Sequence, residues 1–97
     1  MPNEAIEYVM GYSGKQFNPD LVKLFVKRVP CYPSGLAVQL DTGEMGIVSD
    51  SNLDFVGRPV LRICYNTQVG PVRKPYTMNL SESEHQQKVV VKVLDYT

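Results

Sequence analysis

The hydrophobic period of this chain changes between Pro30 and Pro33, and that change constrains the fold more than any other feature. Before it, apolar residues recur at the spacing of a helix. After it, they alternate with polar residues, as in strands. The 97 residues are enough for one ordinary domain with a core of its own. We therefore predict an α+β fold in which two short N-terminal helices precede a small β-structure.

Two helices are predicted before the change of period. Asn3 can cap a helix over about residues 4–10, where apolar residues recur at helical spacing. Asn18 and Pro19 suit the start of a second helix, which Pro30 would end. The second helix would carry a wide apolar stripe made of Leu21, Val22, Leu24, Phe25, Val26 and Val29. Because one neighbour cannot cover so wide a stripe, we expect a weak homodimer through it.

Five antiparallel strands are predicted after the change of period. They cover Val38–Leu40, Met45–Ser49, Pro59–Tyr65, Tyr76–Leu80 and Lys88–Leu94. Gly43 suits the first turn, and Gly46 indicates a bulge or a close backbone approach. Short strands linked by turns are typical of a small SH3-like barrel. We therefore predict a helical segment over residues 1–31 and a barrel domain over residues 32–97.

Charge and hydropathy narrow the class of protein. Ten basic and ten acidic residues cancel, so the balance gives no support to a nucleic-acid partner. No apolar run reaches the length of a membrane span, so no membrane partner is expected. The first residues are acidic where a signal peptide would be basic. We expect a soluble, cytoplasmic protein.

The residues that could carry chemistry are few. His85 is the only histidine and lies in a glutamate-rich loop, whereas a metal site needs at least three convergent ligands. Cys31 and Cys64 could form a bridge in a secreted protein, but without a secretion signal we expect free, buried thiols. No serine or cysteine has an evident base partner. We therefore predict no catalytic residue, no metal ligand and no cofactor in this chain.

A surface for binding another molecule is the remaining candidate site. Tyrosine and arginine are typical binding residues, and several lie on the predicted barrel. The candidate interaction surface consists of Val22, Phe25 and Val26 from the second helix and Arg58, Arg62, Tyr65 and Tyr76 from the barrel. The simpler interpretation is that the tyrosines are half in the core and the arginines coat the exterior.

Several short motifs occur together between Pro2 and about Ile63. The helical part contains a Pro-x-Glu-Ala helix and a Gly-x-x-Phe-x-Pro-x-Leu segment, carried by Pro2, Glu4, Ala5, Gly14, Phe17, Pro19 and Leu21, with Phe25 following. The later part contains Tyr-Pro-x-Gly, a Val-x-Leu-x-x-Gly-x-x-Gly-x-Val hairpin and Arg-Pro-Val, carried by Tyr32, Pro33, Gly35, Val38, Leu40, Gly43, Gly46, Val48, Arg58, Pro59 and Val60. This combination resembles the C-terminal region of HD-GYP-type phosphodiesterases. From Cys64 onward the similarity is loose.

The resemblance implies a parent protein that hydrolyses cyclic di-GMP in bacterial signalling. Family members need a His-Asp pair, further histidines and aspartates, and a Gly-Tyr-Pro motif to bind iron-type metals and the cyclic dinucleotide. This chain has no His-Asp pair, no histidine besides His85 and no Gly-Tyr-Pro motif, and its Gly11-Tyr12-Ser13 triplet is a different sequence. The resemblance therefore implies a non-catalytic accessory domain whose partner is the rest of the parent protein.

Two other functions are compatible with the residues alone. The hairpin pattern also fits a stand-alone SH3-like or KOW-like module that binds a peptide or a nucleic acid. A contiguous exposed groove of tyrosine and arginine would favour a peptide. An independent small enzyme is disfavoured because no acid–base constellation is present.

Overall fold

The computed structural model describes residues 3–14, 22–25 and 32–96. They form a helix α1 and six strands, in the order α1 (Asn3–Tyr12), β1 (Val22–Phe25), β2 (Ala37–Leu40), β3 (Glu44–Asp50), β4 (Val60–Asn66), β5 (Gly70–Asn79) and β6 (Val90–Tyr96). A single 3-10 turn, Ser83–His85, lies before β6. The strands make one antiparallel sheet in the order β1-β6-β2-β3-β4-β5. The predicted α+β class, the first helix and all five predicted strands are confirmed.

The prediction of a second helix is wrong for the part that the structure describes. Residues 22–25 form β1, which pairs with β6 so that Val22 lies opposite Tyr96 and Phe25 opposite Val93. Valine and phenylalanine are good strand formers, and a free strand edge supplies hydrogen-bond partners that override the local helical spacing. The remainder of the predicted helix, including Val26, lies outside the described residues.

The prediction of a closed barrel is also wrong. Within the described chain, β5 pairs with β4 alone and therefore forms one edge of the sheet. Strand β5 makes a large bulge opposite Cys64 of β4, because Ile63 pairs with Tyr76 while Tyr65 pairs with Pro71. Prolines lack the N–H that a central strand must donate, so a strand with two of them suits an edge.

A buried apolar cluster lies on each face of the sheet. One core cluster contains Tyr32, Val38, Leu40, Val48, Leu61, Ile63, Met78, Leu80 and Val93. The other places Ala5, Ile6, Val9 and Met10 of α1 against Ala37, Met45, Cys64, Tyr65 and Leu94. Consecutive residues alternate between the clusters, as in Val93 and Leu94, because strand side chains point alternately to opposite faces. Helix α1 and the sheet thus share a core, and the proposed domain division after residue 31 stays a prediction.

Candidate functional site

The candidate interaction surface predicted from sequence is only partly assembled. Tyr65 is buried, and its ring centroid lies 5.5 Å from that of Tyr8 on α1. Tyr76 is 43 % exposed, and Arg62 is exposed with a 3.3 Å hydrogen bond from Nη1 to Thr77 Oγ1. Val22 and Phe25 lie in β1, where only the backbone is described, and Val26 lies outside the described residues.

Arg58 has a structural role within the fold. Its guanidinium donates three hydrogen bonds to main-chain carbonyls: Nε to Leu80 at 2.8 Å, Nη2 to His85 at 2.6 Å and Nη1 to Lys88 at 2.6 Å. The planar fork of an arginine suits several acceptors at once. These bonds tie the segment between β5 and β6 to the residues just before β4. The side chain is therefore committed inside the molecule, which removes it from the predicted surface.

The loop between β3 and β4 is held by hydrogen bonds. The backbone N–H of Asn52 donates to Asp50 Oδ1 at 2.7 Å, and its side-chain amide donates to the Arg58 carbonyl and to Asn79 Oδ1. Two further turns follow, since the N–H of Phe55 donates to the Asn52 carbonyl and that of Arg58 to the Phe55 carbonyl. The loop is therefore held by its own turns, by Asp50 at the end of β3 and, through the Asn52 side chain, by Asn79 at the end of β5.

This loop exposes three apolar side chains, which we call the apolar loop patch. Leu53 is 74 % exposed, Phe55 53 % and Val56 71 %. The sequence analysis placed no candidate contact residue in this loop apart from Arg58. The apolar run Leu-Asp-Phe-Val before Gly57 is visible in the sequence, but the left-handed φ of Asn52 and Gly57, which stops the run from continuing a strand, is visible only in the structure. The patch is the best-defined candidate for contact with another molecule.

A polar network lies beside the first hairpin. The carboxylate of Glu44 is largely buried, contacts the Thr42 hydroxyl and lies 3.5 Å from Lys88 Nζ. The Lys88 ammonium also lies 3.1 Å from His85 Nδ1, which must act as the acceptor because an ammonium only donates. Burial raises the pKa of the Tyr76 hydroxyl, and the Glu44 carboxylate raises it further. His85, in the glutamate-rich segment, is thus partly buried and bonded to Lys88.

The described residues contain neither a metal-ligating cluster nor a membrane-spanning helix. Among them, no three histidine, cysteine, aspartate or glutamate side chains lie close enough together to hold a metal ion. In the same part of the chain, no helix is long and apolar enough to cross a membrane.

Comparison with known proteins adds no relative. No protein-family model, no curated protein and no solved structure matches this chain.

Cys64 is a buried free thiol. Burial raises the pKa of this thiol from 9.0 to about 11. The reactive thiolate fraction at pH 8 therefore falls about 100-fold. In a Cys31→Ser background, we expect iodoacetamide to alkylate Cys64 at least about 100-fold more slowly in the native chain than in urea. Equal rates in the two states would contradict this burial.

Proposed function

We propose that this chain is a non-catalytic C-terminal accessory domain of an HD-GYP-type cyclic di-GMP phosphodiesterase, a metal-dependent phosphohydrolase of bacterial signalling. The observation that carries the proposal is the role of the hairpin motif in the fold. Each apolar residue and each glycine that the motif specifies has a packing or conformational role at its own position.

The motif Val-x-Leu-x-x-Gly-x-x-Gly-x-Val coincides with the β2–β3 hairpin. Its three apolar residues, Val38, Leu40 and Val48, lie in one core cluster. Gly43 has a φ of +102°, which favours glycine. At Gly46 an added Cβ would lie 2.2 Å from the Arg62 carbonyl oxygen, so no larger residue fits. Such a motif describes a particular hairpin, and its presence supports a shared fold with the small domain of the family.

The other shared motifs also fall on residues with specific structural roles. In the Pro-x-Glu-Ala segment, Ala5 is fully buried where α1 meets the sheet. In the Arg-Pro-Val segment, Arg58 binds three carbonyls and Pro59 accepts the N–H of Leu80. In the proposed parent, α1 would end the catalytic domain. Because α1 buries its apolar face on the sheet, the small domain would then be packed onto that end and not held by a flexible linker.

The alternative is a stand-alone module, without the predicted SH3-like barrel, that binds a peptide or a nucleic acid. The apolar loop patch is the observation that favours a peptide. The predicted tyrosine and arginine groove gives it less support, since Tyr65 is buried and Arg58 is bound internally. Zero formal net charge gives no support to a nucleic acid.

The reading frame that encodes this chain and the metal content of the isolated chain test the proposal. We expect His-Asp and Gly-Tyr-Pro motifs upstream of Met1 in the same frame. We also expect metal analysis of the clean, untagged 97-residue chain to find iron, manganese and zinc well below stoichiometry, because the ligand set of the family is missing. Stoichiometric metal in the isolated chain, or a frame without those motifs, would overturn the proposal.

A further inference from the structure

We propose that the segment between β5 and β6, residues 81–89, is a strap that stays closed only while His85 is uncharged, so that mild acidification opens it. The strap carries the only histidine of the chain. This inference goes beyond the proposed function and does not rest on it, because it uses only contacts between described residues of this chain. It gives the fold a conformational change that responds to protons.

Polar contacts, and not apolar burial, hold the strap on the fold. None of residues 81–89 is buried. The Arg58 guanidinium donates from Nη2 to the His85 carbonyl and from Nη1 to the Lys88 carbonyl, both at 2.6 Å. The Lys88 ammonium lies 3.5 Å from Glu44 Oε2 on β3. A segment with few bonds and little burial opens locally at a lower free energy than the whole domain, so each of these polar contacts matters for the strap.

The closed strap requires the neutral form of His85. The Lys88 ammonium lies 3.1 Å from His85 Nδ1, and an ammonium can donate a hydrogen bond but cannot accept one. Nδ1 must therefore be unprotonated, which places the ring proton of the neutral imidazole on Nε2, 3.7 Å from Glu84 Oε1. A second proton, added at Nδ1, would remove the hydrogen bond from Lys88 and set two cations against each other.

The charges around His85 do not compensate a proton on its ring. The titratable and charged side chains described around the ring and the Lys88–Glu44 pair are Glu82, Glu84 and Lys88 of the strap, Arg58 of the β3–β4 loop, Asp41 and Glu44 of the first hairpin, and Tyr76 of β5. Two cations contact His85, since Lys88 meets its ring and Arg58 its carbonyl. The Glu84 side chain is 70 % exposed, so water screens its attraction. The largely buried Glu44 is already paired with Lys88.

Opening of the strap is therefore coupled to the uptake of a proton. In the open strap His85 lies in water and takes up a proton freely, whereas in the closed strap the Lys88 ammonium opposes it. The open state must then gain population as the pH falls through the range in which histidines become charged, about pH 8 to 5. A single proton limits this gain to about tenfold per pH unit.

Amide hydrogen exchange of the 97-residue chain, followed by NMR at about pH 7.5 and about pH 5.5, tests this inference. The reporters are the N–H groups of His85 and Lys88, which donate to the carbonyls of Glu82 and His85 at 3.0 Å. The reference is the N–H of Val48, which donates to the Leu36 carbonyl at 2.8 Å and reports opening of the sheet. Protection factors are compared, because they remove the chemical effect of pH on exchange.

We expect the protection factors of both reporters to fall at least about tenfold between the two pH values, and that of Val48 to stay within about twofold. Reporters that are equally protected at both pH values, or unprotected at both, would overturn the inference. An equal fall at Val48 would assign the effect of acid to the whole fold and would overturn it as well.

Three variants show whether the proton acts at His85. His85→Gln keeps an acceptor for Lys88 on a side chain that does not titrate, so the protection of its strap should agree within about twofold at the two pH values. Lys88→Gln removes the opposing cation, so its fall should be less than about threefold. Lys92→Gln, the matched control on β6, should keep the full tenfold fall. A tenfold fall that persists in His85→Gln would assign the effect to a carboxylate and overturn the inference.

Discussion

Replacing Gly46 by alanine is expected to lower the free energy of unfolding by at least about 3 kcal/mol. The new Cβ would lie 2.2 Å from the Arg62 carbonyl oxygen and 2.8 Å from its carbonyl carbon. Both atoms belong to the backbone of β4, so the two strands would have to separate. Because a domain of this size has only about 5–15 kcal/mol of stability, much of it would be lost. Urea denaturation followed by circular dichroism measures the difference.

Gly11→Ala is the matched control for this prediction. Gly11 lies in α1, and an added Cβ there would meet nothing within 4 Å. Alanine has the higher helix propensity, so the variant should be unchanged or up to about 1 kcal/mol more stable. Equal stability of the two variants would show that the close approach at Gly46 is not a constraint on the hairpin.

Replacing Arg58 by methionine is expected to destabilise the chain by about 2–4 kcal/mol. Methionine keeps the apolar length of the side chain but leaves the carbonyls of Leu80, His85 and Lys88 without their guanidinium donor. The segment between β5 and β6 should then open more readily. Urea denaturation measures the loss of stability, and limited proteolysis within residues 81–89 measures the opening.

Arg62→Met is the control for the arginine prediction. Arg62 is exposed on β4 and makes a single 3.3 Å hydrogen bond to Thr77. Surface substitutions of this kind change stability by about 0.5 kcal/mol or less. If both arginine variants lost the same stability, the internal role assigned to Arg58 would be wrong.

Much of the sheet could be predicted because its pattern is local. Alternating apolar residues identify β2, β4 and β6, and the caps and spacing of α1 identify the helix. The prediction of a second helix was wrong for residues 22–25 because the run around Val22 and Phe25 fits the apolar spacing of a helix as well as that of a strand. What decides between them is β6, whose Tyr96 lies opposite Val22 although it is near the other end of the chain. No local pattern contains that information.

The candidate site was harder to predict because its contacts also join residues that are far apart in the sequence. The acceptors of Arg58 are main-chain carbonyls, which carry no sequence signature and lie 22 to 30 residues away. Tyr65 was placed on the surface, but the register shift between Ile63 and Tyr65 accompanies its burial against α1. The apolar loop patch was missed because the exposure of a loop side chain depends on the turns around it.

Hydrolysis of cyclic di-GMP, measured side by side on the proposed parent protein and on the 97-residue chain, tests the central claim most directly. Under the proposal, the parent protein loaded with iron or manganese should hydrolyse the dinucleotide. The isolated chain should show no activity above the buffer blank, because it has a single histidine and no His-Asp or Gly-Tyr-Pro motif. Hydrolysis by the isolated chain, or none by the metal-loaded parent protein, would contradict the account.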